Sequence, residues 1–463
     1  MSDSAATPPD RPTTAADGAV PPSTATIWVL TIGDELLAGD IVDTNAAFLS
    51  QCCREVGITV VRAVSVRDRI DEIVGLLTEA SEQGVGACLV SGGLGPTTDD
   101  LTTAAIAAAA GVVVQRDDEA VARLREKFRA FGIDDMPPAN LKQADFPVGA
   151  EILPNPIGSA EGFTVQMGAC RVFSMPGVPR ELKRMTREQV LPRLAEAWSL
   201  RAVSRRIYRV CGRGESSVAQ KIEATVAEAR RQSPGLANLF VHYRASMPLV
   251  SVIVEGVPGD DPAEPERYGA AATADELQTL DAPVLEALGS SVYGIGEAGL
   301  AARVIGALGE AGKTLATAES CTGGGIGALI TAVSGASAVF LGGIISYSNE
   351  VKTRRLGVPE PMLQEHGAVS EPVARAMAQG AREAVGADLS IAVTGIAGPD
   401  GGTPDKPVGT VHIAVSDGSE VSHKELHLRG DRGTVQRSAA LCALKLVWDH
   451  LASRGLATVR PMG

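Results

Sequence analysis

From Thr26 onward the chain alternates short apolar runs with amphipathic ones, and that alternation leaves few folds open to it. "TIWVLTIG" (26–33) reads as a strand ending on glycine, "DTNAAFLSQCCREVG" (43–57) as a helix stopping at Gly57, and "ITVVRAVSV" (58–66) as a strand. "RIDEIVGLLTEASEQG" (69–84) predicts a helix, "GACLVSGGLG" (86–95) a strand running into a glycine loop, and "DDLTTAAIAAAAG" (99–111) a helix behind it. Strands alternating with helices imply a mostly parallel sheet, whose sites lie at the carboxyl ends of its strands. A second run of this kind predicts helix 300–311, strand 313–318, helix 322–332, strand 342–348, helix 370–386, strands 388–395 and 408–416, and helix 432–453.

The 463 residues are too many for one core and predict two or three domains. Residues 1–25 are rich in Pro, Ala, Ser and Thr, lack the apolar core of a signal peptide, and read as a disordered tail. An α/β domain is expected over 26–185, a small α+β domain over 186–257, a connector over 258–299, and a last α/β domain over 300–457. The net charge of −13 comes without a large Lys/Arg cluster, which argues against direct contact with nucleic acid. "SRRIYR" (204–209) and the pair Arg230 and Arg231 read as solvated faces. No apolar run reaches transmembrane length, so no membrane partner is expected. The seven cysteines are odd in number and form no C-x-x-C or Cys/His metal spacing. Buried, reduced thiols in a cytoplasmic protein are the expectation.

Two polar loops of the first run follow strands and can share one crevice: "GDELLAGD" (33–40) and "SGGLGPTTDD" (91–100). Glycines let a backbone approach a ligand closely, and Thr98 or Asp99 can cap the helix behind the second loop. Asp99 and Asp100 could hold a hard divalent cation that bridges phosphates, with Asp34, Glu35 and Asp40 adding acids at another strand end. The other reading is a turn before an acidic helix start. The loop is neither a Walker A loop nor a G-x-G-x-x-G fingerprint.

"AESCTGG" (318–324) offers a carboxylate, two hydroxyls and a thiol. Cys321 has the better intrinsic nucleophile, yet nothing near it reads as a histidine partner, and its side chain is expected to point into the core. Ser320 stands at a strand–helix junction, either as a helix N-cap or as a nucleophile beside free N–H groups that would stabilise an oxyanion. Its base is open between His366 in "EHGAVS" and Lys352 in "SYSNEVKTRRLGV" (346–358). A right-handed crossover would bring the ends of the two strands to one edge, where Ser320 and Lys352 can meet. Lys352 reads otherwise as an exposed helix residue. "VTGIAGPDGGTPDKPVGTV" (393–411) carries five glycines that suit a nucleotide, and Thr394 could bond the substrate or the lysine; the other reading is a mobile surface loop. Arg432 in "GDRGTVQ" (430–436) reads as a phosphate partner or a surface charge.

"TIGDELLAGDIVDTN", "SGGLGPTTDD" and "MPGVPREL" resemble the three motifs of the molybdopterin-binding-like domain, a three-layer α/β fold. Their order, with "NLKQADFP" between the second and third, resembles the longer CinA (competence/damage-inducible) family. "NPIGSAEGF" departs from it, with Glu161-Gly162 where Pro-Gly is expected. The resemblance implies a metal-dependent hydrolysis of ADP-ribose to AMP and ribose 5-phosphate, with a Mg or Co type ion on Asp99, Asp100 and Asp34. It implies that Gly92, Gly93, Gly95 and Thr97 cradle the substrate, beside Asn45 and Glu181.

"ESCTGG", "SYSNEVK", "HGAVSEPVA", "TGIAGPDGG", "KPVGTV" and "GDR" resemble, in order, the C-terminal CinA domain, a nicotinamide mononucleotide deamidase of α/β fold. The implied reaction makes nicotinate mononucleotide and ammonia through a Ser/Lys dyad without a cofactor. Carried over, Ser320 attacks, Lys352 shuttles the proton, Tyr347 and Thr394 position the groups, and Arg432 meets the phosphate. Thr322, Gly323, Gly324, Asn349, Gly395 and Gly398 would line the substrate. The resemblance also implies a homodimer. Its alternatives are a deamidase with a non-catalytic front domain, and a non-enzymatic partner in DNA uptake or damage response.

Overall fold

Apolar runs bounded by glycine form the strands, and their burial on two faces sets the layers. The computed structural model describes residues 26–198, 203–256 and 271–462. The expected tail over 1–25 and the connector residues up to 270 lie outside the described residues. The chain divides into two units, one ending at Val203 and one beginning at Ser204.

The first unit contains β1 (Thr26–Ile32), β2 (Thr59–Val66), β3 (Ala87–Ser91), β4 (Val114–Arg116), β5 (Asp145–Pro147), β6 (Glu151–Leu153), β7 (Gly162–Met167) and β8 (Cys170–Met175). Its helices are α1 (Asp34–Ala38), α2 (Thr44–Glu55), α3 (Ile70–Glu82), α4 (Thr102–Ala110), α5 (Asp118–Ala130), α6 (Pro179–Met185) and α7 (Leu191–Ala197). Six strands form one sheet in the order β2-β1-β3-β8-β7-β6, while β4 and β5 pair separately. The strands from β2 to β8 run parallel and the last two antiparallel.

β1 shows why its apolar run is continuous. Trp28, Leu30 and Ile32 enter one core with residues of α3, α4 and α5. Ile27 and Val29 enter the opposite core with residues of α2 and α6. A strand covered on both faces has no polar side to alternate with. Val190 and Leu194 belong to that second core, so the segment after residue 185 packs with this unit rather than with a middle domain. α4 begins at Thr102 with Leu101 at its N-cap and no side-chain cap bond; neither Thr98 nor Asp99 caps it.

The second unit opens with β9 (Arg205–Cys211), α8 (Glu215–Gln232), β10 (Leu239–Ser246), β11 (Leu249–Gly256), α9 (Ala274–Gln278), α10 (Asp281–Leu288) and β12 (Val292–Gly296). The expected connector therefore carries two helices and a strand, with Leu277, Val284 and Val292 buried in the core around β9. There follow α11 (Leu300–Ala311), β13 (Leu315–Glu319), α12 (Gly325–Thr331), β14 (Phe340–Ile345), α13 (Asn349–Leu356), α14 (Glu360–His366) and α15 (Glu371–Val385). β15 (Leu389–Gly395), β16 (Thr410–Ser416), β17 (Val421–His427), α16 (Arg432–Ser453) and β18 (Pro461–Met462) complete it. One sheet runs β10-β11-β9-β12-β18 and the other β14-β13-β15-β16-β17.

In the latter sheet β14, β13 and β15 are parallel, whereas β16 and β17 are antiparallel. The sequence pattern did not reveal β17 or α14, and offered α13 only as the alternative helical reading of Lys352. Glu319 pairs with Ile345 on one side and Val393 on the other. The three loops after β13, β14 and β15 therefore leave from one edge. α15 holds α13 close: a Cβ at Gly380 would lie 1.8 Å from the Leu356 carbonyl oxygen, so the helices meet on bare backbone. Among the described residues no helix is long and apolar enough to cross a membrane.

Candidate active site

The loop after β13 is organised by a residue that sequence reasoning missed. Glu319 ends the fully buried strand "LATAE" and is itself 1% exposed. Its carboxylate accepts from the Thr322 hydroxyl at 2.8 Å and from the N–H groups of Gly324, Ile326 and Gly327 at 3.1, 3.0 and 2.9 Å. An acid at the end of an apolar strand, directly before a glycine turn, was the available signal: a buried carboxylate needs donors, and a turn supplies N–H groups. Gly323 and Gly324 take φ values of 60° and 99°, the left-handed region that lets the chain fold back onto the carboxylate.

Two expectations change here. α12 starts at Gly325 rather than residue 322, and Glu319, not Ser320, satisfies its first N–H groups. Those N–H groups are then committed, as is the Thr322 hydroxyl expected to line the substrate.

Ser320 leaves the edge with its N–H bonded to the Val393 carbonyl at 3.0 Å, which seats it between the strand ends. On the next loop, Ser348 caps α13 by accepting from the Val351 N–H. Lys352 and Leu356, four residues apart on α13, both face inward. Lys352 is 1% exposed, so the alternative of an exposed helix residue is set aside. Its Nζ lies 3.1 Å from Ser320 Oγ and donates to the carbonyls of Ser346 and Tyr347 at 2.7 and 3.3 Å. Burial strips water from the ammonium and lowers its pKa from 10.5, which favours the neutral amine.

Cys321 is buried in the core around α11 and α16, and burial pushes its thiol up to about 12. A protonated, enclosed thiol is a poor nucleophile. His366 closes α14, where its side chain lies 3.7 Å from Glu365 and its carbonyl accepts from Lys406.

α16 brings the third loop in. Arg432 donates to the Gly398 carbonyl at 2.7 Å and to the Tyr347 hydroxyl at 2.8 Å, which leaves three of its five N–H donors for a ligand. The Thr394 hydroxyl donates to the Ala368 carbonyl at 2.8 Å rather than to Lys352. Gly395 ends β15 opposite Val411, where a Cβ would lie 2.6 Å from a valine methyl. Asn349 is exposed and lines a surface groove with Thr353, Arg354 and Leu363.

In the first unit the three motifs do meet. Asn45 of α2 donates to Ser91 Oγ at 3.1 Å and to the Gly177 carbonyl at 2.7 Å. Gly92 donates to the Met175 carbonyl, and the Thr102 hydroxyl closes the Gly92–Gly93 turn on the Gly92 carbonyl at 2.8 Å. Glu181 accepts from buried Asn155 at 2.7 Å. At the departure from the family pattern, Glu161 is buried and takes both arms of the Arg123 guanidinium, at 3.0 and 2.8 Å.

The expected metal ligands do not come together as one group. Asp100 turns back to Thr97 and accepts from its N–H at 2.8 Å and from its hydroxyl, beside Gly95. Asp99 is exposed. Asp68, which sequence reasoning missed, accepts from the Asp34 N–H at 3.1 Å. Burial, and then the negative charges of Asp34, Glu35 and Asp99, raise its pKa. These oxygens are of the class a hard cation takes. Even so, among the described residues no three His, Cys, Asp or Glu form a group that could hold a metal ion. Asp34, Asp99 and Asp100 do not fit together as a ligand set.

Two family models match the chain. The CinA C-terminal domain matches residues 297–451, and the Probable molybdopterin binding domain matches residues 28–196. A CinA-like protein of Geobacter sp. (strain M21) is 42% identical over 428 residues, spanning 92% of this chain and 98% of the relative. A CinA-like protein of Anaeromyxobacter dehalogenans is 43% identical over 424 residues, spanning 91% and 98%. The crystal structure of competence/damage inducible protein CihA from Agrobacterium tumefaciens is 38% identical. It covers 34% of this chain and 93% of its own, with a TM-score of 0.32.

Proposed function

This chain belongs to the CinA family, and on that premise we propose that its second unit hydrolyses nicotinamide mononucleotide to nicotinate mononucleotide and ammonia. The observation that carries this reading is the 3.1 Å approach of Lys352 Nζ to Ser320 Oγ, with the amine desolvated. Neutral Lys352 takes the Ser320 proton as Oγ attacks the carboxamide carbon. The resulting oxyanion collapses, the C–N bond breaks, and Lys352 returns the proton to the leaving nitrogen, releasing ammonia. A water then gives its proton to Lys352 and attacks the ester, which frees the acid and restores Ser320. Arg432, steadied by Gly398 and Tyr347, offers its free N–H donors to the nucleotide phosphate. Chromatography of pure protein with nicotinamide mononucleotide tests the reading; unchanged substrate sinks it.

For the first unit, ADP-ribose hydrolysis is a second proposal, supported by the meeting of the three motifs at Asn45. The like charges around Asp68 would repel a diphosphate, so the residues present are expected to bind it weakly on their own. Calorimetry with ADP-ribose, with and without added Mg or Co, tests that expectation.

A further inference from the structure

Gln436 lies four residues after Arg432 on α16, so both sit on one helix face. That face ties all three loops of the site. Arg432 holds the loops after β14 and β15 through the Tyr347 hydroxyl and the Gly398 carbonyl. Gln436 holds the loop after β13, donating from Nε2 to the Cys321 carbonyl at 2.8 Å.

The atom it holds sets the orientation of a peptide. In a trans peptide the C=O and the following N–H point in opposite directions. The Ser320 carbonyl accepts from the Gly323 N–H at 3.0 Å, which fixes the Cys321 N–H the other way. The Cys321 carbonyl is held by Gln436, which fixes the Thr322 N–H the other way. The flanking N–H groups are committed: Ser320 to Val393, Gly323 to Ser320, and Gly324 to Glu319. Among the described residues, the N–H groups of Cys321 and Thr322 have no acceptor on another residue, the Cys321 N–H meeting only its own Sγ. They are the two donors that directly follow the serine.

We propose that Gln436 is a positioning residue that, through the Cys321 carbonyl, keeps the Thr322 N–H presented beside the Cys321 N–H to the oxyanion formed when Ser320 attacks. The proposal rests on the amidohydrolase reading. Its energetic logic is that a backbone donor stabilises the developing charge only if its peptide is already turned. Without Gln436 the Cys321–Thr322 peptide is free to rotate, and the donor is lost while the substrate pocket stays intact.

The test uses the full chain and two readouts. The first is kcat and KM for ammonia release from nicotinamide mononucleotide. Gln436→Leu should lower kcat by about 10²-fold, the scale of losing one oxyanion donor, with KM little changed. Gln436→Lys, which restores a donor of similar reach, should recover most of kcat. The second readout is the rate at which a fluorophosphonate labels Ser320, which needs no nucleotide; it should fall in Gln436→Leu and recover in Gln436→Lys. Normal kcat and normal labelling in Gln436→Leu would overturn the proposal, as would equal loss in both variants or a change confined to KM. If the wild type labels but leaves nicotinamide mononucleotide intact, the substrate reading fails, and the labelling rates alone decide the role of Gln436.

Discussion

Lys352 Nζ lies 3.1 Å from Ser320 Oγ although 32 positions separate the two residues in the chain. Neither local sequence nor helix geometry brings them together. The pairing of β13 with β14 puts their loops side by side, and the packing of α13 on α15 turns the lysine inward. Four expectations for experiment follow from this arrangement and from the first unit.

Ser320→Ala should lower ammonia release by about 10³-fold or more, since no other group supplies the attacking oxygen. Cys321→Ala should keep most of it, because the thiol is protonated and enclosed in the core. Loss of activity in the cysteine variant alone, with its melting temperature unchanged, would transfer the nucleophile to Cys321.

The pH dependence has a defined sign. Burial lowers the Lys352 pKa from 10.5, and the base is the neutral amine. Log kcat/KM should therefore rise with pH and level off below 10.5 as the ammonium deprotonates. The same depression means that the folded chain binds fewer protons than the unfolded one at this site. Its cost to stability is thus greatest at low pH and is relieved as pH rises towards 10.5. In Lys352→Gln the rising limb should vanish. A limb retained in that variant would assign the base to another group.

Glu319 carries a mainly structural charge. Glu319→Ala removes the acceptor of four hydrogen bonds and should cost about 3 kcal/mol in urea unfolding, with loss of activity as the turn opens. Glu319→Gln keeps the shape but turns one oxygen into a donor facing N–H groups, so an intermediate loss is expected. A stability change below about 1 kcal/mol in the alanine variant would mean that the glycines alone hold the turn.

Asp99→Ala, in the loop that carries the first unit's second family motif, should lower any hydrolysis of ADP-ribose while ammonia release continues. Assaying both reactions on one preparation separates the outcomes: equal loss of the two would show that the sites do not act independently.

Much of this was legible in the chain. Continuous apolar runs marked β1, β3 and β13 because each is covered on two faces. β17 was not legible because its residues are half-exposed and polar, and it lies at a sheet edge where burial imposes little pattern. The short helix α14 was hidden in a stretch rich in charge, where α13 showed only as the alternative reading of Lys352. Gln436 was visible only as a spacing of four from Arg432, which has no meaning until the loop it touches is known.

By itself, the sequence determined that strands end at Ser91 and near Ser320, that glycine turns follow them, and that hydroxyls, acids and a lysine lie in those turns. These are local matters of apolar pattern and backbone freedom. Only the tertiary structure decided which polar groups are spent and which are available. It spends Glu319 on a helix start, Thr322 on Glu319, and Asp100 on Thr97. It leaves Ser320 beside a buried, desolvated Lys352. The physical reason is that desolvation and hydrogen-bond commitment depend on strand register and on which helix face turns inward, and neither is contained in any one stretch of the chain.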